Sequence, residues 1–241
     1  MPRDLIVNSD LEVLNNRYRN DPGGALHYAL AESGLRIALV SSFGADSAVL
    51  LHMAAQIDRG VPVLLLDTLL LFPETLAYQQ ELGTHLGLYN MRRIRPSAAQ
   101  IQAHDPASGL HRNNPDACCA LRKAEPLTRA LDGYDGWING RKRFQTGERT
   151  RLEMFERDPE SGRLKINPLV DFSAVGISDY LDRFDLPRHP LVARGYRSIG
   201  CAPCTSPVGE GEDARAGRWR GMDKAECGIH IENGRIFRRA S

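Results

Sequence analysis

The chain has 241 residues, of which 42% are hydrophobic, 7% aromatic and 25% charged. This composition is typical of a globular domain and excludes disordered, collagen-like and coiled-coil proteins. The 31 Lys and Arg residues and 30 Asp and Glu residues leave a formal net charge of +1, so no overall basic field favours nucleic acid and any anion site must be local.

Helix and strand patterns alternate along the first 187 residues. The run VPVLLLDT (61–68) is continuously apolar, as strands buried on both faces are. The predicted elements are, in chain order, helices at 10–18 and 24–33, a strand at 36–40, a helix at 45–57, the strand at 61–68, a helix from Pro73, a strand at 89–95, helices at 97–104 and 116–131, a strand at 136–140, the segment KINPLVDF (165–172) and a helix at 178–184. This alternation predicts an α/β fold with a doubly wound, largely parallel sheet.

Residues 188–241 are rich in Gly, Pro, Arg and Cys and have little periodicity. We predict that they form an irregular region with a mobile tail, within the same domain as residues 1–187. The longest apolar stretch, 61–72, is interrupted by Pro62 and Asp67 and is far shorter than the roughly 20 residues of a membrane helix. The first ten residues lack the apolar core of a signal peptide, so the sequence favours a cytoplasmic protein.

The segment SSFGADS (41–47) follows the first predicted strand, where doubly wound sheets bind ligands. Its Ser and Gly residues expose backbone N–H groups beside a helix N-terminus, which favours a phosphate or sulfate. The segment lacks the lysine of a Walker A loop and is similar to the SGGxDS loop of ATP-pyrophosphatases, with Phe43 in place of a glycine. A plain strand-to-helix turn explains it equally well. Asp67 and Thr68 end the second strand, where either a nucleotide or helix capping accounts for them.

Five cysteines, an odd number, argue against a secreted disulfide framework. Cys118 and Cys119 are adjacent in a predicted helix, and Cys201 and Cys204 form a CxxC pair. Neighbouring helical side chains diverge by about 100°, so both vicinal thiols reach one metal centre only through a distorted turn or toward a large cluster. Four thiolates suit a structural zinc ion or a 4Fe-4S cluster, and the vicinal pair favours the cluster. Buried thiols beside a reduced CxxC would explain the same residues without a metal.

Cys227 is the fifth thiol, in the polar segment GMDKAECGIH. A thiol of ordinary pKa, ~8.5, is only a few per cent thiolate near neutral pH, and cationic neighbours raise that fraction, so Cys227 is a candidate nucleophile. Basic residues crowd the same half of the chain, which suits a small polyanion, although a solvated charged face explains any one of them. They are Arg141, Lys142, Arg143, Arg149, Arg151, Arg215, Arg218 and Arg220.

From about residue 36 to residue 230 the chain resembles the assimilatory adenylyl-sulfate/phosphoadenylyl-sulfate reductase family, iron–sulfur type. The segments that carry the resemblance are SSFGADS, LDTLLLFPET, CCALRKAEPL, WINGRKRFQ, KINPLVDF, LPRHPLVARGYRSIGCAPCT, GEDARAGRW and ECGIH. It implies an adenine nucleotide α-hydrolase-like fold and reduction of adenylyl sulfate to sulfite and AMP, in sulfate assimilation and cysteine biosynthesis. Cys227 would attack the sulfur, AMP would leave, and reduced thioredoxin or glutaredoxin would cleave the S-sulfocysteine.

The resemblance also implies roles for particular residues. A 4Fe-4S cluster without a redox role in turnover would be held by Cys118, Cys119, Cys201 and Cys204. The substrate would be bound by Ser41, Ser42, Gly44, Leu66, Thr68, Lys123, Gly140, Arg149, Arg215, Arg218 and His230. Neither nucleic acid nor membrane is implied as a partner, and the oligomeric state stays open. The chain departs from the family at Leu69, often a glycine, and at Arg220, where an aromatic residue is common.

The sequence leaves the substrate and the reaction class open. Within this family the CC…CxxC pattern accompanies adenylyl sulfate, whereas members without the cluster usually take its 3′-phosphorylated form. One charge-assisted hydrogen bond to that 3′-phosphate is worth about 1.5–3 kcal/mol, so one or two residues can reverse the preference. Two different functions also fit parts of the sequence. One is a 4Fe-4S tRNA-thiolation enzyme of the ATP-pyrophosphatase type, which Phe43 and the near-zero net charge disfavour, and the second is a zinc-stapled nucleotide-binding module.

Overall fold

The structure, a computed structural model, describes residues 8–145, 147–222, 224 and 226. Within these residues one six-stranded sheet has the order β3-β2-β1-β4-β6-β5. Its strands are β1 (Ile37–Ser41), β2 (Val63–Leu66), β3 (Met91–Ile94), β4 (Gly136–Ile138), β5 (Phe155–Arg157) and β6 (Leu164–Ile166). Neighbouring strands are parallel from β3 to β6, and β5 pairs antiparallel with β6 at one edge. The prediction of an α/β fold with a largely parallel sheet is confirmed.

Helices connect the strands. They are α1 (Asn8–Arg17), α2 (Pro22–His27), α3 (Ser47–Ala55), α4 (Pro73–Leu86), α5 (Ala98–His104), α6 (Leu110–Asn113), α7 (Pro115–Cys119), α8 (Glu125–Ala130) and α9 (Ala174–Arg183). A π-helical turn, Tyr28–Glu32, continues α2, and a second, Ala120–Ala124, joins α7 to α8. Short 3₁₀ turns lie at Arg143–Gln145, Gly147–Arg151, Pro190–Arg194 and Ala202–Cys204.

The central strands are apolar because both of their faces are buried. Alternate residues of a strand point to opposite faces of the sheet. Leu39 and Leu65 join the larger core on one side, which includes much of α3, whereas Ala38 and Leu64 pack on the other side with Trp137. Leu127 of α8 belongs to this second core, so helices cover both faces as a parallel sheet requires.

Local sequence signals set the helix boundaries. Pro73 occupies the first turn of α4, and Gly87 ends that helix with a φ of 67°, a left-handed conformation that glycine adopts at little cost. The predicted start of the ninth helix, residue 178, is four residues late. The side chain of Ser173 accepts a hydrogen bond from the backbone N of Gly176 at 3.0 Å, and this cap begins α9 at Ala174.

The edge strand β5 was not predicted, since its three residues show no period-2 pattern. A tertiary contact holds it: the side chain of Asn15 donates to the backbone O of Phe155 at 3.0 Å and accepts from its N at 2.8 Å. The contact joins α1 to residues 140 positions away along the chain. Local periodicity cannot reveal a strand that depends on such a partner.

The described part of the C-terminal region, residues 188–222, is irregular, as predicted. Isolated bridges tie it to the rest of the chain, between Leu71 and Cys201, and within itself, between Thr205 and Arg218. The predicted mobile tail lies outside the described residues from position 227 onward, and the division into residues 1–187 and 188–241 stays a prediction. In the part of the chain that the structure describes, no helix is long and apolar enough to cross a membrane.

Candidate active site

A cavity of about 760 Å³ opens at the carboxyl ends of β1, β2 and β4. Doubly wound sheets bind their ligands at this edge, and the volume is that of a small-molecule site. Ten of the eleven predicted substrate-binding residues line it. They are Ser41, Ser42, Gly44, Leu66, Thr68, Lys123, Gly140, Arg149, Arg215 and Arg218. The eleventh, His230, and the predicted nucleophile, Cys227, lie outside the described residues.

The loop between β1 and α3 forms one wall of the cavity. The hydroxyl of Ser41 accepts a hydrogen bond from the backbone N of Phe43 at 3.1 Å. Phe43 has a φ of 47° and is fully buried in the larger core. A left-handed backbone favours glycine at this position, and burial of the ring offsets that cost here. Gly44 lies so close to the backbone O of Ile199 that a Cβ would stand 3.3 Å from it, which keeps the loop against the C-terminal region.

The end of β2 connects the cavity to the cysteines. The hydroxyl of Thr68, 1% exposed, lies 3.2 Å from the Sγ of Cys201, and its backbone O accepts from the guanidinium of Arg122 at 3.1 Å. Asp67 turns away from the cavity: one carboxylate oxygen accepts from the Nε of Arg95 at 2.8 Å. Of the two polar residues at this strand end, Thr68 therefore lines the cavity and Asp67 does not.

The four predicted cluster ligands are free thiols, and one of them, Cys201, lines the cavity. Cys118 and Cys119 end α7, and the π-helical turn Ala120–Ala124 follows directly. Burial, together with smaller effects of the neighbouring thiols Cys119, Cys201 and Cys204, raises the pKa of Cys118 to about 12, and Arg122 opposes this change. Burial likewise raises the pKa of Cys204 to about 11.

The thiols therefore share one neighbourhood, but they do not surround a single point. Among the residues that the structure describes, no group of three or more His, Cys, Asp or Glu side chains is arranged to hold one metal ion. The mutual effects on the pKa of Cys118 extend to both cysteines of the CxxC pair.

Several cationic groups line the cavity, among them Lys142, Arg149 and Arg215. Lys142 is buried, and its Nζ donates to a carboxylate oxygen of Asp46 at 2.9 Å. Burial lowers the pKa of Lys142, Asp46 opposes that change, and the nearby Arg149 and Arg215 lower it further. The guanidinium of Arg149 makes two 2.7 Å hydrogen bonds, one to each carboxylate oxygen of Glu226. Arg215 lies 3.4 Å from the same carboxylate.

Arg218 and Lys224 both lie against the ring of Trp219. The guanidinium carbon of Arg218 lies 4.4 Å from the ring centroid of Trp219, and the Nζ of Lys224 lies 5.8 Å from it. Trp219 is 1% exposed, and Lys224 also pairs with Asp116, two residues before Cys118. Arg218 lowers the pKa of Cys204, opposing the effect of burial. Arg218 thus brings a positive charge of the cavity lining close to the CxxC pair.

The rest of the predicted basic cluster divides between cavity and surface. Arg141 lines the cavity and is buried against Glu156, 2.7 Å away. Arg143 pairs with Asp171 and Arg220 with Glu212 away from the cavity, so a charged, solvated face accounts for both. The acidic partners inside the cavity, Asp46 and Glu226, were not predicted, because a charge in a loop or tail does not reveal which cation it will pair with.

The sequence model of the phosphoadenosine phosphosulfate reductase domain matches residues 36–207. The chain belongs to this family. Among its reductase relatives, the adenosine 5′-phosphosulfate reductase of Chelativorans sp. (strain BNC1) is 44% identical over 227 residues, which cover 94% of this chain and 86% of the relative. The enzyme of the same name from Mesorhizobium japonicum is 52% identical over 195 residues, covering 81% and 76%. The predicted family is confirmed.

The chain is also similar to a relative named for the 3′-phosphorylated substrate and to a solved structure. The phosphoadenosine 5′-phosphosulfate reductase of Gloeobacter violaceus is 39% identical over 213 residues, covering 87% of this chain and 88% of that one. The crystal structure of phosphoadenylyl-sulfate reductase from Candida auris in a phosphate complex superposes with a TM-score of 0.71 at 24% identity, covering 84% of this chain and 98% of the other. The second comparison shows that the reductase fold is shared.

Proposed function

We propose that this chain is a thioredoxin-dependent adenylyl-sulfate reductase, which converts adenylyl sulfate to sulfite and AMP in sulfate assimilation. The observation that carries the proposal is the cavity at the carboxyl end of the sheet, lined by Arg149, Arg215 and Arg218 on one side and reaching Cys201 on the other. Family relatives 44% and 52% identical to this chain are named adenosine 5′-phosphosulfate reductases, which supports this substrate.

Each part of the substrate has a matching part of the cavity wall. Leu66, Leu127 and Trp137 line one face with apolar surface, which suits an adenine ring. The backbone N–H groups of the loop at 41–47, next to the N-terminus of α3, suit the phosphate. Guanidinium groups present paired N–H donors, and these fit the oxygens of phosphate and sulfate better than single ammonium groups do.

In the proposed reaction the thiolate of Cys227 attacks the sulfur of adenylyl sulfate. The bond from that sulfur to the bridging oxygen breaks, and AMP leaves with the electron pair. Cations lining the cavity stabilise the charge that develops on the leaving phosphate. Reduced thioredoxin or glutaredoxin, the proposed partner, supplies two electrons. One thiolate attacks the Sγ of the S-sulfocysteine, sulfite leaves, and a mixed disulfide with Cys227 forms; the donor's second thiolate then breaks it, closing the donor's disulfide and releasing the Cys227 thiolate. His230 is proposed to stand beside Cys227.

The donor chemistry fits the 4Fe-4S cluster that the resemblance implies. Cys118, Cys119, Cys201 and Cys204 would hold it. Burial holds the pKa of Cys118 and Cys204 far above neutral pH, so their thiolate forms need cations close to the sulfur atoms, and iron ions supply them when the cluster is bound. The residues of this chain that bind the substrate, Lys123 and Thr68 among them, line the cavity independently of the cluster.

The compartment and the organisation of the chain follow the same proposal. Free thiols at four described cysteines suit a reducing compartment, and we place the protein in the cytoplasm. We treat residues 1–187 and 188–241 as one domain, because the cavity takes its lining from both ranges.

The proposed reductase has a second candidate substrate, the 3′-phosphorylated form of adenylyl sulfate, since the Gloeobacter violaceus relative is named for that substrate.

Sulfite release with purified thioredoxin tests the proposal. We expect the anaerobically purified protein to release sulfite from adenylyl sulfate and Cys227→Ser to release none while keeping its iron content and visible absorption. Cys204→Ser is the matched thiol variant, for which iron is lost as well. Sulfite release that survives Cys227→Ser would contradict the proposed nucleophile. Faster release from the 3′-phosphorylated nucleotide would move the assignment to that substrate, and AMP formation from ATP stimulated by tRNA would favour a tRNA-thiolation enzyme.

A further inference from the structure

The carboxylate of Glu226 lies among the cations of the cavity. Its two oxygens each accept a 2.7 Å hydrogen bond from Arg149, and Arg215 lies 3.4 Å away. All three residues line the cavity, and Glu226 is only 7% exposed. Lys142 stands in the same field, since Arg149 and Arg215 both lower its pKa. The carboxylate of Glu226 therefore occupies the position at which the positive charge and the hydrogen-bond donors of the cavity would bind an anionic ligand.

The hydrogen-bonding geometry of Arg149 allows only one anion at a time to bind its guanidinium edge. Its Nε and one Nη face the two oxygens of Glu226, and its other Nη donates to Gln145. The paired Nε–Nη edge is the one that binds a phosphate or sulfate through two hydrogen bonds. A second anion cannot use that edge while Glu226 occupies it, and its charge would be repelled by the carboxylate at short range.

We infer that Glu226 is an internal ligand of the substrate's anion site, and that an anionic group of adenylyl sulfate binds by displacing it from Arg149 and Arg215. This inference rests on the proposed function, which supplies the anion. Glu226 then sets the affinity of the cavity for the substrate: the nucleotide must replace an ion pair that already exists. Because Glu226 immediately precedes Cys227 in the chain, the exchange also releases the residue next to the proposed nucleophile when the substrate arrives.

Direct titration of adenylyl sulfate tests the inference. The anaerobically purified protein with Cys227→Ser, which cannot turn over, is titrated by calorimetry with and without Glu226→Gln. Glutamine keeps the size of the side chain and removes its charge, so the nucleotide no longer has to displace a carboxylate from Arg149. We therefore expect adenylyl sulfate to bind at least about tenfold more tightly, which is the effect of one charge-assisted hydrogen bond. Glu226→Asp keeps the charge and should bind within about threefold of the parent.

Asp213→Asn is the matched control. Asp213 lines the same cavity and its carboxylate accepts from the backbone N of Arg215 at 2.7 Å, a bond that asparagine can keep. We expect its affinity to stay within about twofold of the parent. Unchanged or weaker binding by Glu226→Gln would overturn the inference, as would equal tightening by Asp213→Asn. Failure of every protein, the parent included, to bind adenylyl sulfate would instead refute the proposed function.

Thermal unfolding with and without adenylyl sulfate tests the inference even if Glu226→Gln is less stable than the parent. Loss of the carboxylate leaves Arg149 a buried cation without its main acceptor, which destabilises the ligand-free protein. Adenylyl sulfate restores an acceptor, so its addition should raise the Tm of Glu226→Gln by more than it raises the Tm of the parent. An equal or smaller Tm increase would contradict displacement, and iron content measured on each variant verifies that the cluster ligands are still in place.

Discussion

At the scale of single residues, two buried cations of the cavity each have an acidic partner. Lys142 is held by Asp46 and Arg149 by Glu226. A buried charge without a partner is strongly unfavourable, so these carboxylates stabilise the buried cations of the ligand-free cavity. The basic residues were visible in the sequence as a cluster. Their partners were not, because the pairs join residues 96 and 77 positions apart.

Leu69 is the residue that most clearly departs from a local rule. It has a φ of 62° and is 52% exposed, so burial does not offset the cost of its left-handed backbone, unlike at Phe43. Leu69→Gly should raise the free energy of unfolding by about 0.5–1 kcal/mol. This is the cost of a left-handed backbone for leucine minus the larger conformational entropy that glycine loses on folding.

Chemical denaturation measures the effect of Leu69→Gly. Val13→Gly is the control, because Val13 is also exposed, at 64%, but lies inside α1, where glycine should lower the free energy of unfolding. A Leu69→Gly protein that is less stable than its parent would show that the Leu69 side chain makes a contribution larger than its backbone cost.

At the scale of elements, runs with a strong local pattern were predictable and tertiary contacts were not. The apolar run at 61–68 contains β2, and Pro73 marked the start of α4. Strand β5 was missed because it depends on Asn15 of α1. Cys118 and Cys119 lie in a helix as predicted, whereas the π-helical turn Ala120–Ala124 that follows them could not be read from helix propensity.

His189 joins two elements near the cavity and makes the fold sensitive to acid. Its Nε2 lies 3.0 Å from the hydroxyl of Thr75 in α4, and its Nδ1 accepts from the backbone N of Leu191 at 3.1 Å. Burial lowers the pKa of His189 to about 4, below its ordinary ~6.5. Between these values the unfolded chain binds a proton that the folded chain does not, so stability falls as the pH falls through this window.

Unfolding at several pH values tests this dependence. For the parent protein, His189 should account for a loss of about 2 kcal/mol in the free energy of unfolding between pH 7 and pH 5. His189→Gln should lack that part of the slope, whereas the exposed His27 replaced by Gln should keep it. Equal pH slopes for the parent and His189→Gln would contradict a neutral, buried His189.

At the scale of the whole molecule, a nearly neutral chain concentrates its positive charge where two distant parts of the sequence meet. The net charge of +1 gave no sign of this, but the motif positions did: ten predicted substrate-binding residues from positions 41 to 218 converge on one cavity. Parallel strands make such convergence possible, because their carboxyl ends share one edge of the sheet. The same fold supports different chemistries, so the proposed reaction depends on the thiols and cations.

The mass of the intact protein after anaerobic incubation with adenylyl sulfate, in the absence of thioredoxin, tests the covalent step of the proposed reaction. We expect a sulfonate adduct on Cys227, released as sulfite when reduced thioredoxin is added, and slower formation of the adduct with the 3′-phosphorylated nucleotide. No adduct from either nucleotide, on protein with its full iron content, would contradict the proposed reaction.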